Sequence, residues 1–231
     1  MFSVWKAIAS GFLFGAIATG LAAAPALAVE EAPQATNTAT STIADTLFAD
    51  AARRAAALAA TPYAPPSTDL PKAFDGLDYD GYRKLRPRPE TMVWGKAGNP
   101  FAALPLPRGG LYRDQVAIHF VDATGAIERH SSPSFVDFVD FPSANDSTRA
   151  KLGASGWRAI TKPGQAGTGY EFAVFQGGTY FRAVGEGQIY GVSARALAIG
   201  TGSSAGEEFP RFTDFWILEP QTPKASAKDE S

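Results

Sequence analysis

Cysteine is absent from all 231 residues. The chain therefore holds no disulfide, offers no thiol nucleophile and has no cysteine-based zinc site, so its stability rests on the core alone. Histidine is nearly as scarce. His119 and His130 stand eleven apart with no short metal-ligand spacing, and each reads as a strand residue facing solvent. Basic charge is not in excess either: 21 Lys and Arg against 23 Asp and Glu leave a formal charge of −2. That excludes the clustered positive face that nucleic acid requires.

Long apolar runs are missing beyond the first residues. Lys6, the run Ala7–Ala23 and the small residues of Ala26-Leu27-Ala28 read as a signal peptide over 1–28, with cleavage after Ala28. The run is short for a membrane span and stops at a proline, so no membrane association is expected after cleavage. Residues 29–42, rich in Ala, Thr, Pro and Gln, read as a flexible leader, and 221–231 as a polar, disordered tail without strand pattern.

What is present is a core-forming composition, 45% hydrophobic and 19% charged, with 23 glycines and 17 prolines that favour turns and short strands. One helix is expected from Ile43, capped by Asp45, with a stripe of Phe48, Ala51, Ala52, Ala55, Leu58 and Ala59, ending before Pro62. Asp78-Tyr-Asp-Gly-Tyr82 lacks the spacing of a calcium loop and reads as a capped turn presenting Tyr79 and Tyr82 to the core.

Beyond Met92 the period becomes two. Gln115–Val121 and Ile127–His130 fit a hairpin turning at Gly125, and Phe135–Phe141 continues the strand chemistry. Strand-like stretches follow at Trp157–Ile160, Tyr170–Phe175, Thr179–Val184, Gln188–Ser193 and Ala196–Ile199. Spacing of about ten residues indicates an antiparallel sandwich or barrel. No internal repeat supports a propeller or solenoid.

The segment 178–216 mixes rings, arginines, carboxylates and glycines. Gly185-Glu-Gly187-Gln-Ile-Tyr-Gly191 lacks the spacing of a phosphate loop and fits a hairpin joining Tyr180–Val184 to Gln188–Val192. Alternation places Tyr180, Arg182 and Val184 on one face and Phe181 and Ala183 on the other. With Phe181 and Ile189 inward, Tyr190 joins Tyr180 and Arg182 on a face of flat rings and directed donors, which suits a sugar. The bland reading buries both faces and pairs Arg182 with Glu207 or Asp214. Glu207 and Glu208 point to opposite sides of an extended segment, a poor pair for glycoside hydrolysis. One of them joins Asp214 or a distant carboxylate, or is locked to Arg195 or Arg211.

Residues Gly178–Ile199, Gly206-Glu-Glu-Phe-Pro-Arg-Phe212 and Phe215-Trp216 carry a resemblance, supported by Leu77-Asp-Tyr-Asp-Gly-Tyr-Arg83 and the alanine-rich helix leading to Pro62-Tyr63. They resemble the bacterial periplasmic glucan biosynthesis protein G/D family, over roughly Ile43 to Pro220. The resemblance implies an exported protein whose 43–220 region is an all-β, antiparallel sandwich similar to galactose mutarotase, here incomplete, with one N-terminal helix. It implies a role in making osmoregulated periplasmic glucans with β-1,2-linked backbones, and some members are similar to β-1,2-glucan hydrolases. The family's general acid lies in a later part, beyond the Phe-Trp motif, so no catalytic residue carries over.

Local departures are Gly177-Gly178 for the more usual Gly-Ala, Ala196 for glycine, Gly200 for aspartate and the approximate Gly153-Ala-Ser-Gly-Trp157-Arg. The expected substrate-binding residues are Tyr180, Arg182, Tyr190, Arg195, Glu207, Glu208 and Trp216, with no metal and no cofactor. Expected partners are a β-glucan oligosaccharide or polysaccharide and, for a truncated accessory relative, a second copy or a separate C-terminal half.

Overall fold

Alternating apolar residues build two facing sheets in the computed structural model, which describes residues 38–65, 69–96, 98–128, 132–161 and 169–221. The expected signal peptide, most of the leader and nearly all of the tail lie outside them, as does His130. In chain order the elements are α1 (Thr38–Ala59), α2 (Tyr79–Tyr82), β1 (Arg86–Pro87), β2 (Phe101–Pro107), β3 (Ala117–Val121), β4 (Ile127–Glu128), α3 (Ser132–Phe135), β5 (Val136–Asp137), α4 (Asp146–Ala150), β6 (Ala154–Thr161), β7 (Glu171–Gln176), β8 (Tyr180–Ala183), β9 (Val192–Arg195) and β10 (Asp214–Leu218).

Strands β2-β6-β7-β8-β9 form an antiparallel sheet in that order, β10-β3-β4 a second, and β1-β5 a two-stranded ladder. The fold is an all-β sandwich. The first two sheets meet through rings: Phe215 of β10 lies 6.2 Å from Trp157 and 5.9 Å from Phe175, and Phe175 stacks on Phe181 at 5.9 Å. Offset and edge-on ring pairs of this kind add about 0.5–1.5 kcal/mol each beyond the apolar area they bury. Phe181 thus faces inward, as its alternation requires.

Several expectations change. The ladder between β10 and β3 is parallel, pairing Asp214 with Ala117 and Trp216 with His119. Strand β2 carries Pro105 and Pro107, which hide it in the sequence; it is tolerated because it is the outer strand of its sheet, where a missing N–H need not face a neighbour. Only Val136 and Asp137 of Phe135–Phe141 are strand, and Ala196–Ile199 contributes a single bridge, Ile199 to Glu208.

The hairpin after β8 is longer than expected. Its register sets Ala183 opposite Val192, so Gln188 to Gly191 belong to the connection and not to a strand. The turn closes where Gln188 N–H donates to the Gly185 carbonyl at 3.1 Å, but pairing waits for Gly191. A Cβ there would stand 2.2 Å from the Ala183 carbonyl oxygen, an approach only glycine allows. Ile189 and Tyr190 are extruded, 86% and 87% exposed.

Helix α1 begins at Thr38, so Asp45 is inside it and not its cap. The half-buried positions are Ile43, Ala44, Leu47, Asp50 and Ala51, spaced three and four apart on one side of the helix, while Phe48 and Leu58 of the expected stripe face solvent. Small alanines bury little area, so polar anchoring decides the rotation: Arg54 donates to Asp214 at 3.2 Å and lies 5.1 Å over the Trp216 ring. His119 is 1% exposed and not a solvent-facing residue. It stacks on Trp216 at 4.9 Å, and its Nε2 is 2.9 Å from Asp214 Oδ1.

Asp78 does cap its turn, accepting from Gly81 N–H at 2.7 Å. Tyr82 packs inward but Tyr79 is exposed, with Arg83 over its ring. The hairpin of β3 and β4 turns at Gly125 as expected, at φ 88°, with Asp122 accepting from Thr124 and Ala126.

Tyr82 donates to the Pro107 carbonyl at 3.0 Å and accepts from Gln176 at 2.6 Å. Burial pushes its phenol up from 10.0 to about 12, with the hydrogen bonds from Gln176 and Ser155 partly opposing. A raised phenol favours the folded state fully below pH 10, and that contribution is lost as pH rises through about 12, because the unfolded chain gives up the proton first. Unfolding free energy measured from pH 9 to 12 should fall by about 2–3 kcal/mol more in the wild type than in Tyr82→Phe. Identical slopes in the two proteins would refute the assignment.

Candidate functional site

The site grows from the turn between β7 and β8. Gly177 and Gly178 both adopt positive φ, 74° and 64°, which lets the chain reverse tightly. The Gly178 carbonyl accepts from Phe212 N–H at 3.3 Å and the Thr179 carbonyl from Ala196 N–H at 2.9 Å. These two bonds draw the segment after β9 back over the sheet, bringing Phe209, Pro210 and Arg211 beside Arg195.

The result is a cleft of about 430 Å³ lined by Tyr112, Arg113, Asp114, Arg195, Phe209 and Arg211 among others. The Arg195 guanidinium sits 4.0 Å over the Phe209 ring, within cation–π range. Arg211 pairs with Asp114, and Arg113 with Asp75 at 2.6 Å. The floor is a polar network. The register shifts between Leu106 and Pro107, leaving Ser155 unpaired, and its hydroxyl donates to the Pro107 carbonyl at 2.7 Å while accepting from Gln176 at 2.9 Å. Tyr112 packs on Tyr82 at 5.0 Å.

Of the sequence-predicted residues, the fold brings three together. Tyr180 pairs across the ladder with Arg195, and Arg182 with Ser193, so Tyr180, Arg182 and Arg195 share the face away from the aromatic interior. The others have different neighbours. Tyr190 is in the extruded connection. Glu207 accepts from Gly202 N–H at 3.4 Å, and Glu208 bridges Ile199 through its backbone. Neither glutamate is locked to Arg195 or Arg211. Trp216 belongs to the other sheet, with His119 and Arg54. Arg182 pairs with neither Glu207 nor Asp214, since Asp214 is taken by His119 and Arg54.

Tyr112, Arg113 and Asp114 were not found by sequence reasoning. Their one signal is the preceding Gly109-Gly110, where a Cβ on Gly110 would stand 2.5 Å from the Leu77 carbonyl oxygen. A larger groove of about 1000 Å³ lies elsewhere, edged by Arg86, Arg88 and Arg149. Those guanidiniums are engaged by Asp140, by Glu90 at 3.0 Å and by the Phe138 ring at 5.3 Å, and no predicted residue lines it. The smaller cleft has the chemistry: three guanidiniums, two ring edges and one carboxylate. Among the described residues no group of three or more His, Asp or Glu is placed to hold a metal ion, and no helix is long and apolar enough to cross a membrane.

The fold and the site together define a sandwich that presents arginines and rings beside a polar cleft. The comparisons make this particular. Residues 47–228 match the model of the family described as periplasmic glucan biosynthesis protein, MdoG, and the chain belongs to that family. Glucans biosynthesis protein G of Rhodopseudomonas palustris strain CGA009 is 40% identical over 212 residues, covering 91% of this chain and 41% of the relative. The protein of the same description from strain BisA53 is 44% identical over 175 residues, 74% of this chain and 33% of the relative. That of Ralstonia nicotianae is 39% identical over 181 residues, 78% and 35%. The chain thus spans about two fifths or less of the length of these relatives.

Proposed function

We propose that this protein serves periplasmic glucan biosynthesis by binding the β-1,2-linked glucan along the face of Tyr180, Arg182 and Arg195 and into the adjoining cleft. The observation that carries the reading is Arg195 held 4.0 Å over Phe209 at the cleft. A guanidinium donates to vicinal hydroxyls, a ring covers the apolar face of a pyranose, and neither demands charge on the ligand. Among the described residues Asp114 is the one carboxylate lining the cleft, and Arg211 engages it. Glycoside hydrolysis uses two carboxyl groups about 5–9.5 Å apart, and the reading offered for the described part of this cleft is therefore one of binding. The export address expected from residues 1–28 agrees with the periplasmic description of the family.

Calorimetric titration of the chain, purified from the periplasmic fraction and beginning at Val29, with linear β-1,2-glucan tests this. Arg195→Ala should weaken binding by about 10- to 100-fold, the loss of charge-assisted hydrogen bonds worth roughly 1.5–3 kcal/mol. Undetectable binding by the wild type, or equal binding by the variant, would remove the proposal. Release of new reducing ends would replace binding by hydrolysis.

A further inference from the structure

The segment Glu208-Phe209-Pro210-Arg211 divides two concavities. A proline disfavours helical angles at the residue before it, so the chain runs extended through Phe209, and consecutive side chains turn to opposite sides. Phe209 goes toward the cleft, its ring 4.0 Å beneath the Arg195 guanidinium. Glu208 goes the other way. It exchanges both backbone hydrogen bonds with Ile199, each at 2.9 Å, and the side chains of such a pair share one face.

That face opens on a groove of about 660 Å³, whose far wall is the end of α1 and the chain leaving it, with Leu58, Pro62 and Tyr63. Phe209, Pro210 and Arg211 line both this groove and the cleft of about 430 Å³, so the two have one wall in common. The far wall is held in place. Pro62 bars α1 from continuing, and Arg54 pins the helix to β10 through Asp214 at 3.2 Å and the Trp216 ring. Tyr63 is 79% exposed and Glu208 is exposed as well, so a flat ring and an acceptor are both open to a ligand.

We propose that the glucan crosses the Phe209–Arg211 ridge, and that the groove beyond it is a second subsite which selects long chains over short ones; this rests on the glucan reading above. Each concavity is of a size that takes a small ligand by itself, and a shared wall lets one polymer occupy both without a break. Sugar units in the groove set their apolar ring faces against Tyr63, Pro62 and Ile199, while their hydroxyls donate to the Glu208 carboxylate. Glu208 and Arg211 are the charged residues of the groove and they balance, so no charge is asked of the occupant. Once the cleft holds one part of a chain, contact with the groove is intramolecular, and affinity rises only for chains that reach it. Arg54 is then a positioning residue, since it holds the helix that carries Tyr63.

The test titrates the same purified chain with a β-1,2-linked glucose trisaccharide and with a long linear β-1,2-glucan. Tyr63→Ala should weaken the long glucan about tenfold and leave the trisaccharide unchanged, and Tyr63→Phe should bind both as the wild type does. Glu208→Gln, also at an exposed position, should give a smaller loss with the same dependence on length, whereas Arg195→Ala weakens both ligands. Equal affinity of the wild type for the two ligands, or a Tyr63→Ala loss that is the same for both, would overturn the second subsite and leave the cleft standing. Binding of neither ligand would remove the cleft reading and the subsite with it. An alkyl glucoside that displaces the long glucan more tightly as its alkyl chain lengthens would give the groove to an apolar ligand, and a dimer lost in Tyr63→Ala would give it to a second copy; either overturns the proposal.

Discussion

Replacing Arg108 by methionine should lower the unfolding free energy by about 3–5 kcal/mol, measured by urea denaturation. The Arg108 side chain is fully buried, at 0% exposure, and its donors bind three carbonyls in two turns: Leu152 at 2.5 Å, Lys151 at 2.7 Å and Arg113 at 3.2 Å, with Asp69 at 3.2 Å. Methionine keeps the volume and removes every donor, so the carbonyls lose both a charged partner and access to water. Lysine keeps the charge but cannot fork, and Arg108→Lys should lose nearly as much. A loss below about 1 kcal/mol for the methionine variant would show that solvent reaches these carbonyls.

Gly156→Ala should be of similar size, about 3 kcal/mol or more, although it adds one carbon. Its Cβ would stand 1.9 Å from the Phe175 carbonyl oxygen and 2.9 Å from Gln176 Cα. Both are backbone atoms of β7, so no rotamer change relieves the clash and the strands must part at the register where β6 carries Trp157 onto Phe175. Gly178→Ala is the control: nothing lies within 4 Å of its Cβ, and only its φ of 64° resists, at about 1 kcal/mol. Equal losses in the two variants would show that backbone angle, not strand contact, sets the cost.

The residues most readable in the sequence were those whose partners are close by. Tyr180, Arg182 and Phe181 declared their faces through alternation, and Asp78 declared its cap through spacing, because both depend on residues a few positions away. Arg108 and His119 gave no such sign. Their partners, the carbonyls at 151 and 152 and the carboxylate of Asp214, are more than 40 positions off, and the same residues in an exposed strand have the same spelling. Strand β2, with Pro105 and Pro107, went unread in the sequence, since prolines are tolerated there only by its place at the sheet margin. Gly191 read as part of the second strand of the hairpin, whereas it closes the connection beside the Ala183 carbonyl and leaves Tyr190 outside the ladder. The candidate cleft was half legible for the same reason: Arg195 was marked by its local pattern, whereas Tyr112, Arg113 and Asp114 reach it only through the folded path of the chain.

The parallel ladder of β3 and β10 sets the order in which the molecule can be finished. Asp214 and His119 meet from 95 positions apart, while β6 to β9 pair with strands that follow directly. Loops of that length close late relative to hairpins. Helix α1, near the beginning of the chain, rests on Asp214 and Trp216 and so has no seat until β10 is in place. Among the described elements α1 is thus made before its seat exists, and its docking waits until β10, the last of them, has followed.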